Sequence, residues 1–335
     1  MKSAIAAAAA AMLLGLAGPG RAQGPEPVAR GQTPSAPCDR ACLSGVLEDY
    51  LTALKAHDAS KLPMTPHVRF SENNSPLTFP DGLWNTVDKV GDYRLPFIDP
   101  EAGQAGIYTV VEEHGKPAIL SVRLKVIDRR ITEIETLVLR PQANNGFGNA
   151  AGLKPRAAFY EDIPADKRLT RVQLVEIANS YFETLQQNHG VVFAPFASTC
   201  HRIESGVATT NNPSPPATGR PDPVGIKKMG CEAQFKTGYF KFVTHIRDRR
   251  PLVVDAQKGL VFMAAFFDHT GDIRAETLTD GRVVDPQFDT PWTWQIGELF
   301  KIKDNKIDQV EAIVMYAPYG ETDLWNGRPK WEPAH

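Results

Sequence analysis

The sequence has no surplus of positive charge. Its 37 lysines and arginines face 39 aspartates and glutamates, which excludes the basic footprint of a nucleic-acid-binding surface. Cysteine is scarce, four in 335 residues with no C-x-x-C pair, so no thiol-ligated metal site is expected. After residue 16 no charge-free apolar run approaches the roughly 20 residues that span a bilayer. There is no P-loop, no G-x-G-x-x-G after a strand, no H-E-x-x-H and no G-x-S-x-G. Nucleotide, zinc-peptidase and serine-hydrolase chemistry therefore lack their signatures. Long uninterrupted helices are disfavoured by 27 prolines and 26 glycines.

What is present begins with Lys2, an apolar run from Ala4 to Leu16, and the small-residue stretch Gly18-Pro19-Gly20-Arg21-Ala22. This reads as a signal peptide over residues 1–22, giving a periplasmic or secreted chain that leaves the membrane after cleavage. Export permits disulfides. Of the three pairings open to Cys38, Cys42, Cys200 and Cys231, the local ones are expected, Cys38–Cys42 and Cys200–Cys231. Residues four apart at a helix start lie about 6 Å apart, and the second pair flanks a loop rich in Pro, Asn and Gly.

Residues 23–37 are a Pro/Gly/Gln-rich lead-in. Apolar residues at Leu43, Val46, Leu47, Tyr50, Leu51 and Leu54 then form one face of a helix. The same spacing returns 131 residues later at Leu174, Ile177, Ala178, Tyr181, Phe182 and Leu185, behind the capping box of Thr170 and Gln173. A second echo lies 176 residues apart: Lys125 to Glu135 and Lys301 to Glu311 both read as strand, tight turn at an Asp, strand. A leading helix and a closing hairpin, each occurring twice, predict a duplicated α+β chain of two cone-like domains, each a helical layer on a curved antiparallel sheet. The expected bounds are 38–141 and 168–335, with a linker over 142–167. The second copy holds about 45 extra residues, assigned to the turn-rich stretches 211–230 and 271–291. Strands are predicted over 67–72, 106–112, 118–127, 131–140, 239–247, 259–268, 292–302 and 307–316.

Four segments carry a family likeness: Leu54-Lys55-Ala56-His57-Asp58, Val68-Arg69-Phe70-Ser71-Glu72-Asn73, Gly82-Leu83-Trp84 and Ile131-Thr132-Glu133-Ile134-Glu135. Together they resemble the nuclear transport factor 2-like superfamily, which includes SnoaL-like and ketosteroid isomerase-like proteins. The second copy, with His201-Arg202-Ile203-Glu204 and Ile246-Arg247-Asp248-Arg249-Arg250, resembles a secreted branch of that superfamily of unknown function. The resemblance implies cones that act on, or hold, a small molecule, generally without metal or organic cofactor. It also implies sheets that pair face to face, here as an intramolecular dimer. No catalytic set of the superfamily matches residue for residue, so none is carried over.

Strand alternation sorts the candidate site residues by face. Glu298 interrupts the row Trp292, Trp294, Ile296, Phe300 and Ile302, and a carboxyl among apolar neighbours needs a cation, a donor or a proton. Arg202 and Glu204 share a strand face, while His245, Arg247 and Arg249 alternate along another, and His269 ends an apolar strand. In the first copy Glu72 and Asn73 end the row Val68, Phe70, and Trp84 offers an aromatic wall. The expected catalytic set is Glu298, Glu204, His245, His269 and Tyr181, with Arg202, Arg247, Trp294, Glu72, Asn73 and Trp84 contacting the substrate. The chemistry expected is cofactor-free, metal-free proton abstraction leading to isomerisation or elimination on a small oxygenated molecule. The competing reading is a binding module, with Arg247, Arg249 and Arg250 in a structural lattice with Asp248, Asp255 and Glu298.

Overall fold

The computed structural model describes residues 37–140, 148–214, 222 and 224–326. The expected signal segment, nearly all of the lead-in and the start of the linker lie outside them. The first domain runs α1 (Arg40–Ala56), β1 (Met64–Glu72), β2 (Ser75–Leu77), β3 (Val87–Asp99), β4 (Gln104–Glu113), β5 (Lys116–Ile127) and β6 (Arg130–Leu139). A one-turn α2 (Ala157–Tyr160) follows. The second domain runs α3 (Arg171–Gln187), β7 (Phe196–Glu204), β8 (Val207–Ala208), α4 (Cys231–Lys236), β9 (His245–Asp255), β10 (Leu260–His269), β11 (Glu276–Thr277), β12 (Val283–Val284), β13 (Trp292–Lys303) and β14 (Lys306–Ala317).

Two six-stranded sheets result, ordered β2-β1-β6-β5-β4-β3 and β8-β7-β14-β13-β10-β9. The order is the same in both. The sheets are mixed rather than antiparallel throughout, because β1 runs parallel to β6 and β7 to β14. Both long helices have 17 residues, start 131 positions apart and are capped by side chains, Asp39 on Cys42 N and Thr170 on Gln173 N. Both closing hairpins turn on two residues of positive φ, Asp128-Arg129 and Asp304-Asn305, as a two-residue turn matched to strand twist requires. Disulfides join Cys38 to Cys42 and Cys200 to Cys231. Among the described residues no helix is long and apolar enough to cross a membrane.

Two local expectations are corrected. β3 is a 13-residue strand with no predicted counterpart, because Gly91 and Pro96 break its apolar pattern; it lies at a sheet edge, where proline is tolerated. The strand expected over 239–247 is a 3₁₀ turn at Tyr239–Phe242, after Gly238 at φ 69°, and β9 starts only at His245. β9 is the other edge strand and carries Pro251.

Each sheet has two apolar faces, and each needs a cover. Helix α1 or α3 covers one face. The other two faces cover each other: Tyr93, Leu95, Phe97, Tyr108 and Ile119 meet Leu252, Val253, Phe262, Leu299 and Ile313 in a shared core. Phe97 and Phe262 lie 4.8 Å apart, and the Tyr108 hydroxyl donates to the Gly297 carbonyl at 2.7 Å. A Cβ at Gly297 would stand 2.9 Å from a Leu137 methyl, so a side chain there would make Leu137 shift.

The interface is reciprocal. Arg40, the first residue of α1, reaches Asp255 at the end of β9 (2.5 Å), and Arg171, the first of α3, reaches Asp99 at the end of β3 (2.7 Å). Asp255 also accepts from Ile98 N (3.1 Å) and Asp99 from Val254 N (3.0 Å). This is the self-matching pattern of a two-fold dimer, realised within one chain. Arg250 adds a further clasp, pairing with Glu135 of β6 (2.6 Å) and Asp323 (2.6 Å). Burial pushes the Glu135 carboxyl up, but Arg250 and Arg123 outweigh it and hold the group below its ordinary range. The segment after β14 returns to the first domain: Asn74 donates to Thr322 O (2.6 Å), and Trp325 lies under Arg69 and Arg123.

Removing a buried carboxylate here leaves an arginine and backbone N–H groups without their acceptor. Asp99→Ala and Asp255→Ala should each cost about 3 kcal/mol in urea unfolding, and an effect under about 0.5 kcal/mol would contradict the reciprocal-anchor account.

Candidate active site

The face of β13 turned toward α3 carries Trp294, Ile296, Glu298 and Phe300, while Gln295, Gly297 and Leu299 face the first domain or its edge. Glu298 sits opposite Met263 on β10 and Ala312 on β14. Between α3 and this sheet is a cavity of about 190 Å³ lined by Tyr181, Arg202, Glu204, Trp294 and Glu298. These five sequence candidates meet in one place. The remaining walls are mostly apolar, with Leu185, Val207, Val243, Phe267, Ile296 and Val314 prominent, and include the polar Thr209, Asp222, Lys227 and Gln234.

Glu298 is 2% exposed, and its Oε2 has no hydrogen-bond partner among the described residues. Burial pushes its pKa up to about 8, and the negative charge of Glu204 adds to this. The Arg202 charge and a hydrogen bond with Tyr181 pull the other way without restoring the ordinary value. Arg202 is itself 4% exposed and pairs through Nη2 with Glu204 Oε1 at 3.0 Å. Burial works against its charge, yet Tyr181, Glu204 and Glu298 hold it above its usual range. The Tyr181 hydroxyl is raised well above its ordinary value, by burial first, so it stays a proton donor in hydrogen bonds at neutral pH. The arrangement is a near-neutral carboxyl beside a phenol, with an internally neutralised cation next to both.

Other candidates lie elsewhere. His245 is exposed at the start of β9. His269 is fully buried, stacked at 4.2 Å on Trp292, and is not among the cavity-lining residues. Arg247 is forked onto Asp268 (2.7 Å) and Asp248 (2.9 Å), outside the lining. Asp248 has φ 52° at an irregularity in β9, which breaks the simple alternation assumed for this arginine run. Arg249 turns to Glu183 of α3. The arginines do form a lattice, but Asp255 pairs with Arg40 and Glu298 with none of the three.

In the first domain the matching hollow is filled. The strand registers place Tyr50, Phe70, Glu72 and Val122 where the second domain has Tyr181, Arg202, Glu204 and Glu298. Trp84 is 3% exposed, packs edge-on against Tyr50 (5.4 Å) and Phe79 (4.8 Å), and donates from Nε1 to the Tyr50 hydroxyl at 3.2 Å. Glu72 accepts from Leu83 N (2.8 Å) and pairs with Arg140 (3.0 Å). Asn73 completes the sheet edge by bonding both backbone groups of Val138. In the first domain Glu72, Asn73 and Trp84 thus hold turn, sheet-edge and packing positions.

The sequence reading missed Phe240, Phe242, Phe288 and Gln234, all of which line the cavity. For Gln234 and Phe288 the available signal was the extra length of the second copy, since α4 and the segment between β12 and β13 have no counterpart in the first.

A family model described as a domain of unknown function (DUF8021) matches residues 167–314. No curated protein matches the chain. Among solved structures, the chain is similar to a de novo designed protein with a curved beta-sheet, at 25% identity over 30% of this chain and 87% of that one (TM-score 0.25). It is also similar to the de novo designed NTF2 fold protein NT-9, at 18% identity over 30% and 86% (TM-score 0.20). A third is a "putative ketosteroid isomerase" from Kribbella flavida, at 15% identity over 39% and 96% (TM-score 0.23).

The folded protein holds the Glu298 proton to about pH 8, against an ordinary value of 4.5. The stability this group contributes is therefore complete below 4.5 and is lost as pH rises toward 8, about 1.4 kcal/mol per pH unit at most. Glu298→Gln, which does not titrate, should melt within a few degrees of wild type at pH 5 and more than about 5 °C above it at pH 9. Parallel melting curves across that range would contradict a proton held at Glu298.

Proposed function

We propose that the second domain is a cofactor-independent isomerase or lyase that moves a proton on a small oxygenated molecule, in a chain exported across a membrane. The observation that carries this reading is the Glu298 carboxyl, enclosed at the cavity with a pKa of about 8. A general acid–base group works best when its pKa lies near the working pH. At pH 7 about a tenth of the molecules carry the carboxylate form.

In the proposed step, ionised Glu298 takes a proton from a carbon beside a carbonyl. The C–H electron pair moves into the carbon–carbon bond and the carbonyl pair onto oxygen, giving an enolate. Tyr181 donates a hydrogen bond to that oxygen. Where the enolate is conjugated with a second carbon–carbon double bond, Glu298 returns the proton to the far carbon and the carbonyl re-forms, which isomerises the substrate. Where the β-carbon bears a leaving group, the enolate's electron pair expels it, which completes an elimination. Glu204 acts through Glu298 by raising its pKa and through Arg202 by neutralising it. Two disulfides support an oxidising destination.

The competing reading is a ligand-binding module, favoured by the first domain, where the same fold packs a buried Trp84 against Tyr50 at the matching place. Proton exchange separates the two. Small cyclic ketones incubated with the protein in D₂O should lose α-C–H signals in the NMR spectrum, about tenfold faster at pH 9 than at pH 7. Glu298→Gln should slow this at least about 100-fold while ligand affinity stays within about tenfold. Binding without exchange at any pH would leave the module reading standing.

A further inference from the structure

We infer that the cavity takes an uncharged, flat molecule of one or two rings with a carbonyl or hydroxyl oxygen at its inner end. This rests on the proton-transfer reading of the same site and adds the class of substrate.

Charge is the first argument. The ionisable lining residues are Arg202 and Lys227 against Glu204 and Asp222, plus Glu298. Arg202 is already paired with Glu204 at 3.0 Å, so most of its positive charge is offset before any ligand arrives. With Glu298 protonated the lining sums to zero, and with Glu298 ionised it is negative. Neither state offers a carboxylate or phosphate ligand a net positive charge.

Size is the second argument. A cavity of about 190 Å³ is slightly larger than the roughly 150 Å³ that encloses one benzene, and smaller than the roughly 300 Å³ at which drug-sized pockets begin. One ring, or two fused rings, fills it, and four fused rings would have to extend out through its mouth.

Shape is the third argument. Tyr239, Phe240, Phe242, Phe288, Trp294 and Tyr316 all line the cavity. Flat faces and ring edges of this kind match a planar ligand better than a branched aliphatic one. The proton-transferring pair Tyr181 and Glu298 comes from α3 and β13, whereas Phe240 comes from the turn before β9 and Phe288 from the segment between β12 and β13. The ligand's oxygen therefore belongs at the helix–sheet end and its rings toward those two segments.

The test is calorimetric titration of the full chain with three probes: α-tetralone (neutral, two rings), 2-naphthoate (anionic, two rings) and a tetracyclic steroid enone (neutral, four rings). Tetralone should bind at least tenfold more tightly than either of the others at pH 7. Phe240→Ala, which removes one wall from a turn rather than from the sheet, should weaken tetralone about tenfold with cooperative melting retained. Equal or tighter binding of naphthoate or the steroid, no heat from tetralone, or an unchanged affinity in the folded Phe240→Ala variant overturns the inference. Tetralone that binds as stated but undergoes no exchange in D₂O upholds the ligand class and removes only the proposed chemistry.

Discussion

Everything in this molecule depends on how two curved sheets hide their outer faces. A sheet with apolar side chains on both sides is insoluble unless both are covered, and a single helix covers only one. Here the outer faces cover each other through Phe97, Tyr108, Phe262 and Leu299, and the edges are locked by Arg40 on Asp255 and Arg171 on Asp99. Because the partner is fused in the same chain, this cover is present at any protein concentration. The inner faces, relieved of that task, are free to differ.

They do differ. In the first domain, Phe70 and Val122 stand at the positions of Arg202 and Glu298, and Trp84 closes the space with its indole N–H on Tyr50. In the second, the tyrosine is kept but its surroundings become ionisable. A buried, protonated carboxyl and a buried ion pair contribute less stability than the apolar packing they replace. One copy thus supplies apolar packing on both of its faces and the other tolerates a hollow, a division that a single domain of about 100 residues would find harder to survive.

The insertions serve the hollow. Residues of α4, the Tyr239–Phe242 turn and the segment around Phe288 wall it with aromatic rings. The Cys200–Cys231 disulfide ties β7, which carries Arg202 and Glu204, to the start of α4. The polar strand and the aromatic wall are thereby held in fixed relation.

Much of this was readable from residue order, because it depends on local periodicity. The two helices, their caps, the hairpins at Asp128 and Asp304, and the clustering of Glu298, Glu204 and Arg202 on inward faces all follow from spacings of 3.6 and 2. β3 was not readable, since Gly91 and Pro96 erase its alternation and only its edge position explains why they are tolerated. Nor were the fates of individual polar groups. Glu72 and Glu204 occupy matching strand positions, yet one anchors the Leu83 turn and the other neutralises a cavity arginine. His269 and Arg247 are as polar as Arg202, yet a ring stack and an aspartate fork take them out of the cavity lining. Sequence alone determined which face each side chain takes, since that is a property of the local backbone. Tertiary structure decided which faces enclose empty space and which partner reaches each charge, since both depend on how separate elements of the chain are brought together.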